Sequence, residues 1–136
     1  MTRRMKTFVY VVAGSIVLSC ALCGGCVYQG FREMPKARAA SDAFMDLLAA
    51  GKIDDAYAST SPAFKAVTTP EKFQEAINGF AALKNQAGRA ARTWRIYNMN
   101  QAQIAYFIPN PPNPLTITIN LTKSDEGWKV FGFNAP

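Results

Sequence analysis

From Leu115 to Thr122 the chain alternates without a break: Leu115, Ile117, Ile119 and Leu121 are apolar, while Thr116, Thr118, Asn120 and Thr122 are polar. Successive side chains of a strand point to opposite faces, so this period of two specifies a strand with one buried and one solvated face. Such a strand needs partners in a sheet and a layer over its apolar side. Three further segments, Arg92 to Met99, Ala102 to Ile108 and Trp128 to Asn134, read as the partners. A turn near Asn100-Gln101, the proline-rich stretch Pro109 to Pro114, and Lys123 to Gly127 connect them.

Upstream of Ala91 the period changes to about 3.6. Pro35 suits a first helical turn, and Ala40, Phe44, Leu47 and Leu48 then recur on one face while Ser41, Asp42 and Asp46 stay off it. This predicts an amphipathic helix ending near Gly51. Ile53 and Tyr57 make a shorter apolar pair, with Asp54 and Asp55 as solvated charges in a first turn. Ser61-Pro62 and Thr69-Pro70 each read as an N-cap followed by proline at the first helical position. The second of these helices carries Phe73, Ile77 and Phe80 on one side, and residues 85 to 90 are a loop. Helices first and strands after predict an α+β domain, residues 32–136, with helices on one face of a four-stranded antiparallel meander.

Residues 1–31 do not belong to that domain. Phe8 to Val27 is a run of twenty uncharged residues behind the basic residues Arg3, Arg4 and Lys6. As a helix rising 1.5 Å per residue it matches a hydrocarbon core of about 30 Å. Three readings stand: an uncleaved transmembrane anchor, a lipoprotein signal with Cys20 as the acylated residue, or a secretory signal cleaved after Ser19-Cys20-Ala21. All three imply export or membrane association, the uncleaved anchor spanning the membrane through residues 8–27, with the C-terminal domain expected outside the cytoplasm.

With Arg3, Arg4 and Lys6 set aside, 12 basic and 9 acidic residues remain, a net charge of +3 rather than +6. The local excess is Lys84, Arg89, Arg92 and Arg95, and strict strand parity sends Arg92 and Arg95 to opposite faces. No nucleic-acid interface is expected on that basis. The chain has no histidine, and its three cysteines lie at positions 20, 23 and 26, so the domain carries neither imidazole bases nor thiol chemistry, and no metal or cofactor is expected.

Phe44-Met-Asp-Leu-Leu-Ala-Ala-Gly-Lys-Ile-Asp-Asp-Ala-Tyr57, followed by Ser61-Pro-Ala-Phe64, Thr69-Pro-Glu-Lys-Phe73 and the closing Gly127-Trp-Lys-Val130, resembles the nuclear-transport-factor-two-like superfamily (ketosteroid-isomerase-like, cystatin-like). More narrowly, it is similar to small membrane-anchored bacterial proteins of that superfamily. The resemblance covers residues 37–134. It implies a cone-shaped half-barrel in which helices and a curved sheet enclose a pocket, with an outer sheet face that often mediates dimerisation. Enzymes of the superfamily, ketosteroid isomerases and polyketide cyclases among them, typically place an Asp, sometimes with Tyr or His, in that pocket. The four strands here contain no Asp or Glu, so a non-catalytic domain is expected, with an isomerase or cyclase as the third reading.

Two sets of residues remain as candidates for binding. Tyr57, Trp94, Tyr106 and Trp128 each combine apolar area with one donor and could line a pocket for a small apolar ligand. Parity places Phe107, Phe131 and Phe133 on the outer sheet face, a patch suited to a protein partner or a second copy of the chain, unless a bulge flips the last strand or a loop covers the patch.

Overall fold

The structure is a computed structural model describing residues 31–109 and 111–136, and the expected membrane segment at 8–27, Cys20 included, lies outside them. Among the described residues no helix is long and apolar enough to cross a membrane. Residues 34–136 form one compact unit.

Helix α1 spans residues 31–49 as described and buries Ala37, Ser41, Phe44, Met45 and Leu48. It stops at Gly51, where φ of +72° suits a residue without a Cβ. There the Lys52 N–H donates to the Leu47 carbonyl at 2.9 Å and the Gly51 N–H to Leu48 at 3.1 Å, closing the helix with a Schellman pattern. Three short helices follow: α2 (Ile53–Ala58), α3 (Pro62–Val67) and α4 (Pro70–Asn78). Ser61 Oγ accepts from the Phe64 N–H at 3.2 Å, and Thr69 Oγ1 from Lys72 at 3.4 Å, so both expected N-caps form ahead of their prolines. Asp54 and Asp55 are exposed in the first turn of α2, as their spacing predicts. A 3-10 turn, Ala81–Leu83, leads out of the helical half.

The strands are β1 (Ala90–Tyr97), β2 (Gln101–Ile108), β3 (Leu115–Ser124) and β4 (Gly127–Asn134), antiparallel in the order β1-β2-β3-β4. Fold class and strand order therefore agree with the periodicities. The β1–β2 turn starts at Asn98 rather than Asn100, with Asn98 and Met99 at φ of +49° and +62°. Ile104, Tyr106 and Ile108 of β2 register with Ile119, Ile117 and Leu115 of β3, and all six are buried against the helices. Behind them sits an aromatic cluster in which Phe73 lies 6.2 Å from Phe44, 5.9 Å from Phe64 and 5.6 Å from Tyr57, centroid to centroid. Phe133 joins it.

That last placement corrects strand parity. Asn120 registers with Gly132 but Leu121 with Val130, so Phe131 is the extra residue of a β-bulge. The inserted residue reverses the faces beyond it: Phe133 opposes Ile119, turns inward, and packs 6.2 Å from Phe64 and 5.9 Å from Phe73. A second bulge corrects the reading of the arginines. Ala91 registers with Tyr106 and Thr93 with the adjacent Ala105, leaving Arg92 as the extra residue of β1. Its guanidinium lies 4.4 Å above the Phe107 ring on the outer face, the face Arg95 shares through its pairing with Gln103. Both arginines thus lie on one side of the sheet.

Candidate functional site

The apolar residues of α1 bring it across the sheet above β1 and β2, and polar groups bordering that stripe meet the strands. Asp42 is the central one. Tyr106 donates its phenolic O–H to Asp42 Oδ1 at 2.7 Å, while Arg38 Nε lies 3.7 Å from Oδ2 one turn back along the helix. The expectation that Asp42 faces solvent is therefore corrected. It follows Ser41, which is completely buried, and so sits at the edge of the buried stripe, half-exposed and within reach of a tyrosine rising from β2. Burial, and then the adjacent carboxylate, push the Tyr106 phenol above its ordinary value near 10, so at neutral pH it serves as a donor.

Two guanidiniums frame this pair. Arg38 lies 5.8 Å from the Trp94 ring centroid, and Arg89 lies 5.5 Å from that of Tyr106 while its Nη2 pairs with Asp46 at 2.7 Å. Gln86 ties the segment before β1 to α1, donating from Nε2 to the Met45 carbonyl at 2.9 Å. Ser41 Oγ is buried with no hydrogen-bond partner, next along the helix to the carboxylate that Tyr106 holds. The cluster is polar at its rim, aromatic at its wall, and balanced in charge.

Of the four aromatics expected to line a pocket, Trp94 and Tyr106 come together here, on the helix-facing side of neighbouring strands. The other two lie elsewhere. Tyr57 donates its hydroxyl to the Thr68 carbonyl at 2.7 Å and packs edge-on against Phe64, and Trp128 is buried at the start of β4. Two open depressions mark the surface of the domain. One of about 430 Å³ is lined by Asp46, Ala49, Gln86 and Arg89 beside the cluster, and one of about 340 Å³ by Phe80, Asn113, Pro114, Leu115 and Pro136. None of the four aromatics lines either. Among the described residues no group of acidic or cysteine side chains could hold a metal ion.

The opposite side of the sheet presents Thr93, Arg95 and Tyr97 of β1, Gln101, Gln103 and Phe107 of β2, the threonine row of β3, and Lys129 and Phe131 of β4. No helix or strand covers it among the described residues. Phe131 is 37% exposed, and Phe107 lies half-buried beneath Arg92. Lys129 pairs with Glu126 in the β3–β4 turn, and Gln103 Nε2 donates to Asn120 Oδ1 at 3.1 Å.

Arg38 and Asp42 were legible as an i, i+4 pair, but nothing in the spacing of α1 indicates that Tyr106, sixty-four residues away, completes the triad. No protein-family model matches the chain, and no curated protein matches it. Among solved structures, the phospholipid-binding protein from Ralstonia solanacearum, determined in complex with a phospholipid, is similar at 17% identity and a TM-score of 0.42, over 75% of this chain and 76% of that one.

Proposed function

We propose that this chain is a membrane-tethered, extracytoplasmic, non-catalytic binding domain of the nuclear-transport-factor-two-like type, held by residues 8–27 and acting through its uncovered sheet face on a protein partner or a second copy of itself. The observation that carries this reading is the outer sheet face, which keeps Phe131 at its surface. Phe44, Phe73, Tyr57, Phe64 and Phe133 pack ring against ring on the helix-facing side of the sheet. Meanwhile Phe131 stays at the surface, and Phe107 half-buried beneath Arg92, on a sheet face that no other layer covers among the described residues. Phe131, 37% exposed, is the apolar group this face offers a partner, with Phe107 set apart from it opposite Thr116 and beneath Arg92.

The non-catalytic part of the proposal draws on the composition of the strands. No strand brings a carboxylate to the helix-facing side, and Asp42, which reaches it from α1, has one oxygen on the Tyr106 hydroxyl and the other beside Arg38. A carboxylate has about four acceptor sites, so Asp42 beside Tyr106 retains lone pairs and keeps an isomerase- or cyclase-like enzyme as the third reading. The alternative, a carrier or sensor of a small apolar ligand, draws on the half-exposed Trp94 beside Arg38 and the Tyr106–Asp42 pair. Sedimentation of the full chain in detergent decides between them. Phe131→Lys is expected to abolish self-association or partner binding, whereas unchanged association removes the outer face from consideration and leaves the ligand reading.

A further inference from the structure

The sheet ends on β1, and this edge is unusual in what it shows. Of its eight residues only Ala91 and Ile96 are half-buried, and the other six are exposed. Only β2 pairs with it among the described residues, so one row of its backbone N–H and C=O groups faces outward. Trp94, half-exposed, and Ile96 stand on the helix-facing side of that edge. Arg92 and Arg95 stand on the other side, brought there together by the bulge, and neither forms an ion pair with a carboxylate among the described residues.

A strand laid beside β1 would meet Trp94 and Ile96 on the helix-facing side and, on the other, the Arg92 and Arg95 guanidiniums with Thr93 and Tyr97. A second copy of β1 does not fit. Pairing like with like would set arginine against arginine, with no Asp or Glu on any strand to separate them. We propose that β1 captures an extended segment of another protein in which carboxylates alternate with apolar residues, adding a fifth strand to the sheet. Main-chain hydrogen bonds supply the affinity, Arg92 and Arg95 select Asp or Glu on the outer side, and Trp94 with Ile96 accepts the apolar side chains. The same arginines discourage self-pairing, so one pair of charges both keeps the edge free and names its occupant. This inference rests on the reading of the domain as a protein-binding module and specifies the partner's chemistry.

The test uses the full chain in detergent and fluorescent peptides of about eight residues, the length of a strand. One alternates Glu with Val, a second replaces Glu by Lys, a third has the composition of the first in two blocks, and a fourth carries proline at two central positions. The alternating Glu peptide is expected to bind at least about tenfold more tightly than the other three, and to weaken with added salt. Arg92→Glu with Arg95→Glu is expected to reverse the preference toward the Lys peptide, and Arg95→Gln, the milder change, to weaken Glu-peptide binding if the double variant fails to fold. Equal affinity for Glu and Lys peptides, no reversal in the charge-swapped protein, tighter binding of a short oligothymidylate, or no peptide binding at all would overturn the proposal. If the peptides fail while Phe131→Lys still disrupts association, the edge is wrong and the binding-domain reading stands.

Discussion

The two edges of the sheet each carry one of the chain's two tryptophans, and they are built in opposite ways. Trp128 on β4 is 8% exposed, while Trp94 on β1 is 51% exposed. At β4 the Ser61 N–H, at the start of α3, donates to the Val130 carbonyl at 2.8 Å, so a helix cap occupies part of that edge. Phe64 of α3 then packs against Phe133 of the same strand. At β1 no helix cap docks in this way, and protection comes instead from a bulge and two arginines. A sheet this small has two edges to guard, and sealing one with packing while leaving the other to charge permits only one site of strand addition.

If that asymmetry is real, matched substitutions must separate the edges. Trp128→Ala removes a buried indole and is expected to cost about 3–5 kcal/mol, enough to unfold much of the population, as read by urea denaturation. A loss near that of an exposed residue would mean that β4 is no better sealed than β1. Tyr106→Phe lies between the edges and removes the hydroxyl that Asp42 accepts, at an expected cost of about 1 kcal/mol near neutral pH.

The same variant gives a pH signature. The folded state raises the Tyr106 phenol above its unfolded value, so its contribution is intact below about pH 10 and is lost as pH rises beyond it, where the unfolded chain ionises first. Denaturation of the wild type at about pH 8 and about pH 11 should therefore show a steeper fall than the Phe variant. Equal slopes would place Tyr106 in a wetter setting than its burial indicates. The smallest effect is expected from Trp94→Ala, about 1 kcal/mol or less, because the indole gives up mainly its contact with Arg38 and half of it is already in water. Its fluorescence should be quenched by acrylamide far more readily than that of Trp128.

Much of the fold was legible because it depends on local rules. Ser61-Pro62 and Thr69-Pro70 announce helix starts through groups within three residues of one another, and the period of two from Leu115 to Thr122 needs no knowledge of what covers it. The candidate site was less legible. Trp94 and Tyr106 were singled out and do lie together, but Arg38, Asp42 and Arg89 join them through contacts spanning many residues. Tyr57 and Trp128 share the chemistry of the other two and none of their surroundings.

Strand parity failed at two places, each time by one residue. An inserted residue shifts every later side chain to the other face; Arg92 sits in a run that reads as uninterrupted strand, whereas Gly132 beside Phe131 is the kind of residue that accompanies a bulge without fixing its position. Composition and period alone settle the element order, the α+β class and the apolar faces of β2 and β3, since these follow from backbone geometry and water. Which of Phe131 and Phe133 meets solvent, whether Arg92 and Arg95 share a face, and where the Asp42 carboxylate ends were decided only when the sheet packed against the helices. Packing there chooses among registers that differ little in local energy and greatly in what they bury.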